Sequence, residues 1–170
     1  KYLMNYSNLT LFPTIDSDAV FSSCRKHRYS LWRTWDRKLP KVLFIGLNPS
    51  TADEIQDDPT IRRCIRYARD WGYGGYIMGN IFAYRSTDPA KLKIVKDPIG
   101  KKNNYWLKKL YSEAEITIAA WGNHGDYLNR GEDVANLFKT LYCLKKTKSG
   151  QPSHPLYLPA KLKPILYSKN

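Results

Sequence analysis

A chain of 170 residues with 42% apolar content, 5 Trp and 13 Tyr can bury one sizeable core, which excludes a disordered or fibrous protein. Its 28 Lys and Arg against 15 Asp and Glu leave a net charge of +13, which attracts polyanions through counterion release and makes nucleic acid a natural partner; a generally basic surface is the plainer explanation. Cys24, Cys64 and Cys143 form no CxxC pair, which argues against a cysteine-built metal site, and no apolar run nears the ~18 residues of a membrane span.

Lys1–Asp18 has no clear periodicity and is expected to be an irregular arm. It carries no signal-peptide pattern, and a start at Lys1 rather than Met suggests a few trimmed residues. Ala19–Cys24 and Arg28–Trp35 read as two short strands around a basic turn at Arg25-Lys26-His27. Arg25, Lys26, Arg28, Arg33, Arg37 and Lys38 are interleaved here with Tyr29, Trp32 and Trp35. Such a mixture can stack bases and neutralise phosphates, but an edge hairpin with its aromatics packed on the core is the preferred reading.

Lys41–Ser50, KVLFIGLNPS, is a buried strand that breaks at Gly46 into Asn48-Pro49, a turn-starting pair. In an open parallel sheet, ligands bind just outside such carboxyl ends. Asp58-Pro59 then starts a helix with Ile61, Cys64, Ile65 and Ala68 on one face and Gly72 as its stop. Asp53, Glu54, Asp57 and Asp58 are read as caps and loop carboxylates, so no metal and no cofactor are expected.

Gly75–Tyr84 is a second apolar strand, with Asn80 inside it and Arg85 after it. A buried amide must find partners or cost about 1–3 kcal/mol, so Asn80 is either a satisfied core residue or a ligand reader. Asp97-Pro98 predicts a helix whose face includes Ile99, Trp106, Leu107 and Leu110. Glu115–Trp121 predicts a third strand, running into Gly122-Asn123-His124, and Tyr127–Phe138 a third helix. Leu141–Leu144 is the fourth strand; Lys145, Lys146 and Lys148 follow, then a loop holding His154-Pro155 and a tail over 160–170.

The resulting expectation is one domain over 1–170. It is an α/β fold with three αβα layers and a four-stranded parallel central sheet, preceded by a hairpin. All four strand ends then fall on one edge of the sheet, and each carries polar or glycine residues.

This set of strand ends resembles the uracil-DNA glycosylase superfamily. Gly46-Leu47-Asn48-Pro49 is similar to its first motif, closest to the mismatch-specific branch that carries Asn. Asn80 in GNIFAYR occupies the place of its base-reading Asn, Trp121-Gly122 matches the end of its third strand, and His154-Pro155-Leu156-Tyr157-Leu158 resembles its last motif. The segment Phe21–Arg85 also resembles a family of uncharacterised bacterial and phage proteins. The chain departs from the most active glycosylases in having Asn48-Pro49-Ser50-Thr51 where they continue Asp-Pro-Tyr-His.

The resemblance implies a glycosylase-like fold and excision of a modified, damaged or mispaired base from nucleic acid, DNA in the first instance. Asn48 would position water and His154 would stabilise the leaving base. Gly46, Leu47, Pro49, Ser50, Asn80, Tyr84, Arg85, Trp121 and Asn123 would surround the base. Leu156, Tyr157 and Leu158 would fill the gap it leaves, with Arg25, Lys26, Arg28, Lys145, Lys146 and Lys148 on the phosphates. A monomer in the cytoplasm of a bacterial cell or phage-infected host is expected. The alternatives are a non-catalytic binder or decoy on the same fold, or a hydrolase of free nucleosides or nucleotides.

Overall fold

The computed structural model describes residues 13–170. Seven strands form one sheet in the order β1-β2-β4-β3-β5-β6-β7. They are β1 Asp16–Phe21, β2 Arg28–Thr34, β3 Lys41–Gly46, β4 Gly75–Asn80, β5 Ile116–Ala119, β6 Thr140–Cys143 and β7 Ile165–Lys169. The four middle strands run parallel, as β-α-β connection requires. The hairpin β1-β2 adds antiparallel to β4 on one side, and β7 adds antiparallel to β6 on the other.

Two expectations are corrected here. The sheet has seven strands, not four, because the hairpin extends it and the residues read as a tail supply β7. The arm expected over Lys1–Asp18 gives up Asp16–Asp18 to β1, and its first twelve residues lie outside those described.

Strand alternation sends side chains to both faces. Val42 and Phe44 of β3 pack with Ile61, Cys64, Tyr67 and Ala68 of α1 Pro59–Asp70. Leu43 and Ile45 pack on the other face with Leu107 and Leu110 of α2 Asn103–Glu113 and Val134 of α3 Arg130–Ala135. The core is thus two apolar slabs on either side of the sheet.

The helix boundaries have local causes. Asp58 Oδ1 accepts the Ile61 N–H at 2.9 Å and Pro59 occupies the first turn, so α1 begins where expected. Asp97 instead caps a turn: its Oδ1 accepts the Gly100 N–H, Gly100 sits at φ 90°, and α2 starts only at Asn103. The expected Tyr127–Phe138 helix is broken by left-handed Leu128 and Asn129, leaving a 3-10 turn over Asn123–Asn129 and the short α3. β4 stops at Asn80, which therefore lies at a strand end rather than inside a strand. Of the three free cysteines, Cys64 and Cys143 are buried and Cys24 is exposed.

Candidate functional site

Gly46 and Asn80 are register partners at the carboxyl ends of β3 and β4, and Ile45 stands beside Ala119 of β5. Where these strands stop, the loops diverge around a cavity of about 490 Å³, within the usual range for small-molecule sites. Gly46, Leu47, Asn48, Ser50, Asn80, Trp121, Asn123, His154 and Leu156 all line it. The ends of β3, β4 and β5 and the loop holding His154 are thereby brought together.

Asn48 has a fixed orientation. Its Nδ2 donates to Ser86 O at 2.8 Å and to Pro49 O at 3.1 Å, so Oδ1 is the atom left over as an acceptor. Asn80 is the opposite case. It is 1% exposed, and neither Oδ1 nor Nδ2 has a partner among the described residues. Its backbone, by contrast, is held firmly. Buried Asn103 donates to the Asn80 and Ile81 carbonyls, and the Arg130 Nε donates to Ile81 O at 2.7 Å. A Cβ at Gly46 would lie 3.0 Å from the Asn80 Nδ2 and 2.6 Å from the Met78 Cε, so both side-chain ends would have to shift to admit it.

His154 accepts the Leu156 N–H on Nδ1 at 3.2 Å, which places the proton of the neutral ring on Nε2. His154 is exposed, yet the loops crowding its ring desolvate it enough to hold its pKa below the ordinary imidazole value, against the pull of the Asp58 carboxylate. Gly122, at φ 71°, makes the turn after β5 and donates to Pro152 O, tying that turn to the His154 loop. Trp121 is clamped by a bond from its Nε1 to Gln151 Oε1 at 2.9 Å. Asn123 Oδ1 accepts the Ser149 hydroxyl at 2.8 Å, so the lysine-bearing loop after β6 adjoins the cavity.

Other expected site residues fall elsewhere. Pro49 does not line the cavity; its carbonyl holds Asn48 and accepts the Ser86 N–H. Tyr84 meets His27 edge-on, and Arg85 lies over the Phe21 ring and donates to Arg25 O, so both brace the hairpin turn outside the cavity. Arg25 is paired with Glu54 by two bonds of 2.7 and 3.1 Å, which compensates its charge. Arg28 is 2% exposed and cannot reach an external phosphate; it lines the cavity instead. Lys26, Lys145, Lys146 and Lys148 remain exposed. In the last loop Leu158 packs on the α1-side core, whereas Tyr157 is 94% exposed and left-handed at φ 73°.

The hairpin also explains how the β3–α1 loop is held. Arg28 Nη1 donates to Ala52 O, and Arg33 spreads over the Asp57 carboxylate and the Asp53 and Gln56 carbonyls. The basic residues of β2 thus serve the loop from beneath, while Tyr29 and Trp35 join the core.

Several lining residues escape a sequence reading. Asp58, Thr60 and Ile61 come from the start of α1, and Ser86, Thr87 and Pro89 from the segment after β4. Asp58 was legible as a cap, and its second role follows only from where α1 starts. Among the described residues no three His, Cys, Asp or Glu side chains gather as a metal site, and no helix is long and apolar enough to cross a membrane.

The family described as "Protein of unknown function (DUF1643)" matches residues 28–156, which include all but β1 and β7 of the sheet and the whole cavity lining. Neither a curated protein nor a solved structure gives a match.

Proposed function

The chain belongs to the DUF1643 family, and we propose that its cavity is the base pocket of an N-glycosidase acting on nucleic acid, on a fold of the uracil-DNA glycosylase kind. The observation that carries this reading is that Asn48, Asn80 and His154, from three distant stretches of sequence, line one cavity. The Asn80 amide, buried and unpartnered among the described residues, would offer a donor and an acceptor to the edge of a flipped base once it turns into the cavity.

In the proposed reaction water adds to the sugar C1′ as the N-glycosidic bond breaks, and the bonding pair leaves with the base. The fixed Asn48 Oδ1 accepts a hydrogen bond from that water. Asp58, whose Oδ1 is occupied by the Ile61 N–H, takes its proton, supplying from α1 the carboxylate that the first strand end lacks. The His154 Nε2–H donates to the base oxygen on which negative charge grows. The base anion then takes up a proton, balancing the one held by Asp58, and the products are an abasic sugar and a free base.

Exposed Tyr157, at the cavity mouth beside Leu156, is the side chain to fill the space of a flipped nucleotide. Lys145, Lys146 and Lys148 adjoin the mouth through Ser149 and Asn123, and the net charge of +13 suits a nucleic-acid partner. The proposed setting is base excision in the cytoplasm of a bacterial cell or phage-infected host.

The test uses duplex and single-stranded oligonucleotides carrying uracil, hydroxymethyluracil, hypoxanthine, mismatches or bulky modified bases, followed by alkali. Strand breaks that vanish in Asn48→Ala and His154→Ala are expected. Salt-sensitive binding that never yields an abasic site would instead identify a non-catalytic binder. Absence of binding at low salt would end both readings and leave free nucleosides or nucleotides as the substrates to assay.

A further inference from the structure

The segment that follows β4 concentrates positive charge. Residues 88–109 carry seven Lys against two Asp, and all seven lysines are exposed. Neither ion pair among the described residues involves any of them. The two aspartates cap turns, Asp88 accepting the Ala90 N–H and Asp97 the Gly100 N–H. Lys91, Lys93, Lys96, Lys101 and Lys102 all precede α2.

The course of this segment is fixed at both ends. It leaves the cavity at Ser86, Thr87 and Pro89, all in the lining, and winds through a 3-10 turn over Pro89–Lys93. At ~2 Å per residue, Lys91 and Lys93 lie within ~10 Å of Pro89 along the chain. The Lys93 Nζ sits 5.8 Å from the centre of the Tyr127 ring, which packs on Phe82. Further on, the segment docks against the hairpin turn. The His27 Nε2 is 2.8 Å from Asp97 O, and the Ala83 and Tyr84 N–H groups donate to the Ile99 and Pro98 carbonyls. A Cβ on Gly100 would lie 3.2 Å from the His27 Cδ2. Lys96 precedes Asp97, Lys101 follows Gly100, and exposed Lys26 precedes His27, so these three lysines gather around one contact. A band of ammonium groups thus runs from the cavity rim to the hairpin turn.

We infer that Lys26, Lys91, Lys93, Lys96 and Lys101 form a phosphate tract that holds the nucleic-acid backbone between the cavity rim and the hairpin turn. The inference rests on the nucleic-acid reading of the cavity and adds the path of the strand to it. A strand with one nucleotide in the cavity must continue over the rim on both sides. Lys145, Lys146 and Lys148 adjoin the rim at Asn123, and the new tract adjoins it at Thr87 and Pro89. Flexible lysines suit this task, because a point charge holds a phosphate without reading sequence. An anionic lipid surface would meet the same charges, but it gives no reason for the band to end at a cavity.

The experiment follows binding of a single-stranded DNA oligonucleotide by fluorescence anisotropy across a KCl series. Two triple variants lose the same charge. The tract variant is Lys91→Gln, Lys93→Gln, Lys96→Gln. The control is Lys139→Gln, Lys161→Gln, Lys163→Gln, exposed lysines at the other end of the sheet, where Lys139 precedes β6 and Leu162 O accepts the Trp71 Nε1–H after α1. Each contacted phosphate adds roughly 0.7 to the slope of log affinity against log salt. The tract variant is therefore expected to flatten the slope by about 2 and to bind about tenfold or more weakly at ~0.1 M salt. The control variant keeps the original slope. A slope unmoved in the tract variant, or lowered equally in the control, would overturn the inference. So would loss of binding to phosphatidylserine vesicles with the DNA slope intact, which would assign the band to a lipid surface. Base excision that persists with an unmoved slope would remove the tract and keep the base pocket. A flattened slope without any excision would keep the tract and remove the glycosidase. No binding at low salt would end both.

Discussion

Replacing Asn80 by Leu separates a ligand reader from a structural amide. The two Asn80 amide atoms are buried and unpartnered among the described residues. An unsatisfied buried polar group costs about 1–3 kcal/mol, and Leu, with the same branched set of four side-chain heavy atoms, removes two of them. A partial return of ~1–2 kcal/mol corresponds to a rise of ~2–8 °C in the unfolding midpoint of a chain this size. Ligand binding moves the other way: losing a donor–acceptor contact to a base edge costs about 1–3 kcal/mol, or roughly 5- to 150-fold in affinity. Thermal unfolding and anisotropy titration on the same preparation measure both. A midpoint lowered by more than ~4 °C would show that the amide supports the fold, and the argument for a base reader would fail.

The neighbouring residues give further tests. Gly46→Ala puts a methyl 3.0 Å from the Asn80 Nδ2, so binding falls with Asn80 displaced while overpacking costs about 1–3 kcal/mol by denaturant unfolding. Asn48→Asp does not create a better enzyme, because a carboxylate oxygen replaces the Nδ2 that donates to Pro49 O and Ser86 O; higher turnover in that variant would contradict the assigned orientation. Asp58→Asn retains the helix cap, so its unfolding midpoint stays within ~2 °C while excision drops by about 10²-fold or more; equal turnover would remove Asp58 from the mechanism.

His154 gives a pH signature. Its folded pKa lies below the ordinary 6.5, so below that value the unfolded chain takes up the proton first. Stability associated with the neutral ring is complete above pH ~6.5 and is lost as pH falls from there toward the lowered folded value. The midpoint difference between pH 7.5 and 5.5 is expected to shrink in His154→Gln, and an unchanged difference would refute the lowered pKa.

Much of the parallel centre was written in the sequence. The apolar runs at Val42–Ile45 and Tyr76–Met78, each closed by glycine or asparagine, are short, β-rich and bounded by turn signals, which are local properties of the chain. Because strands joined by β-α-β crossovers run parallel, their ends fall on one edge of the sheet, and Asn48, Asn80 and Trp121 follow those ends.

Three features depended on contacts between distant segments. Residues 165–169 have no strong strand pattern and become β7 because β6 offers an open edge. Tyr84 and Arg85 lie only a few residues beyond Asn80, yet the chain turns there toward the hairpin and takes them out of the site. Arg28 and Arg33 read as surface charge, since the pattern of a single strand cannot reveal that a loop 20 or more residues later will cover them. Periodicity reports which face of an element is apolar. What covers a polar residue, and whether a cavity opens beside it, is settled only when the elements pack.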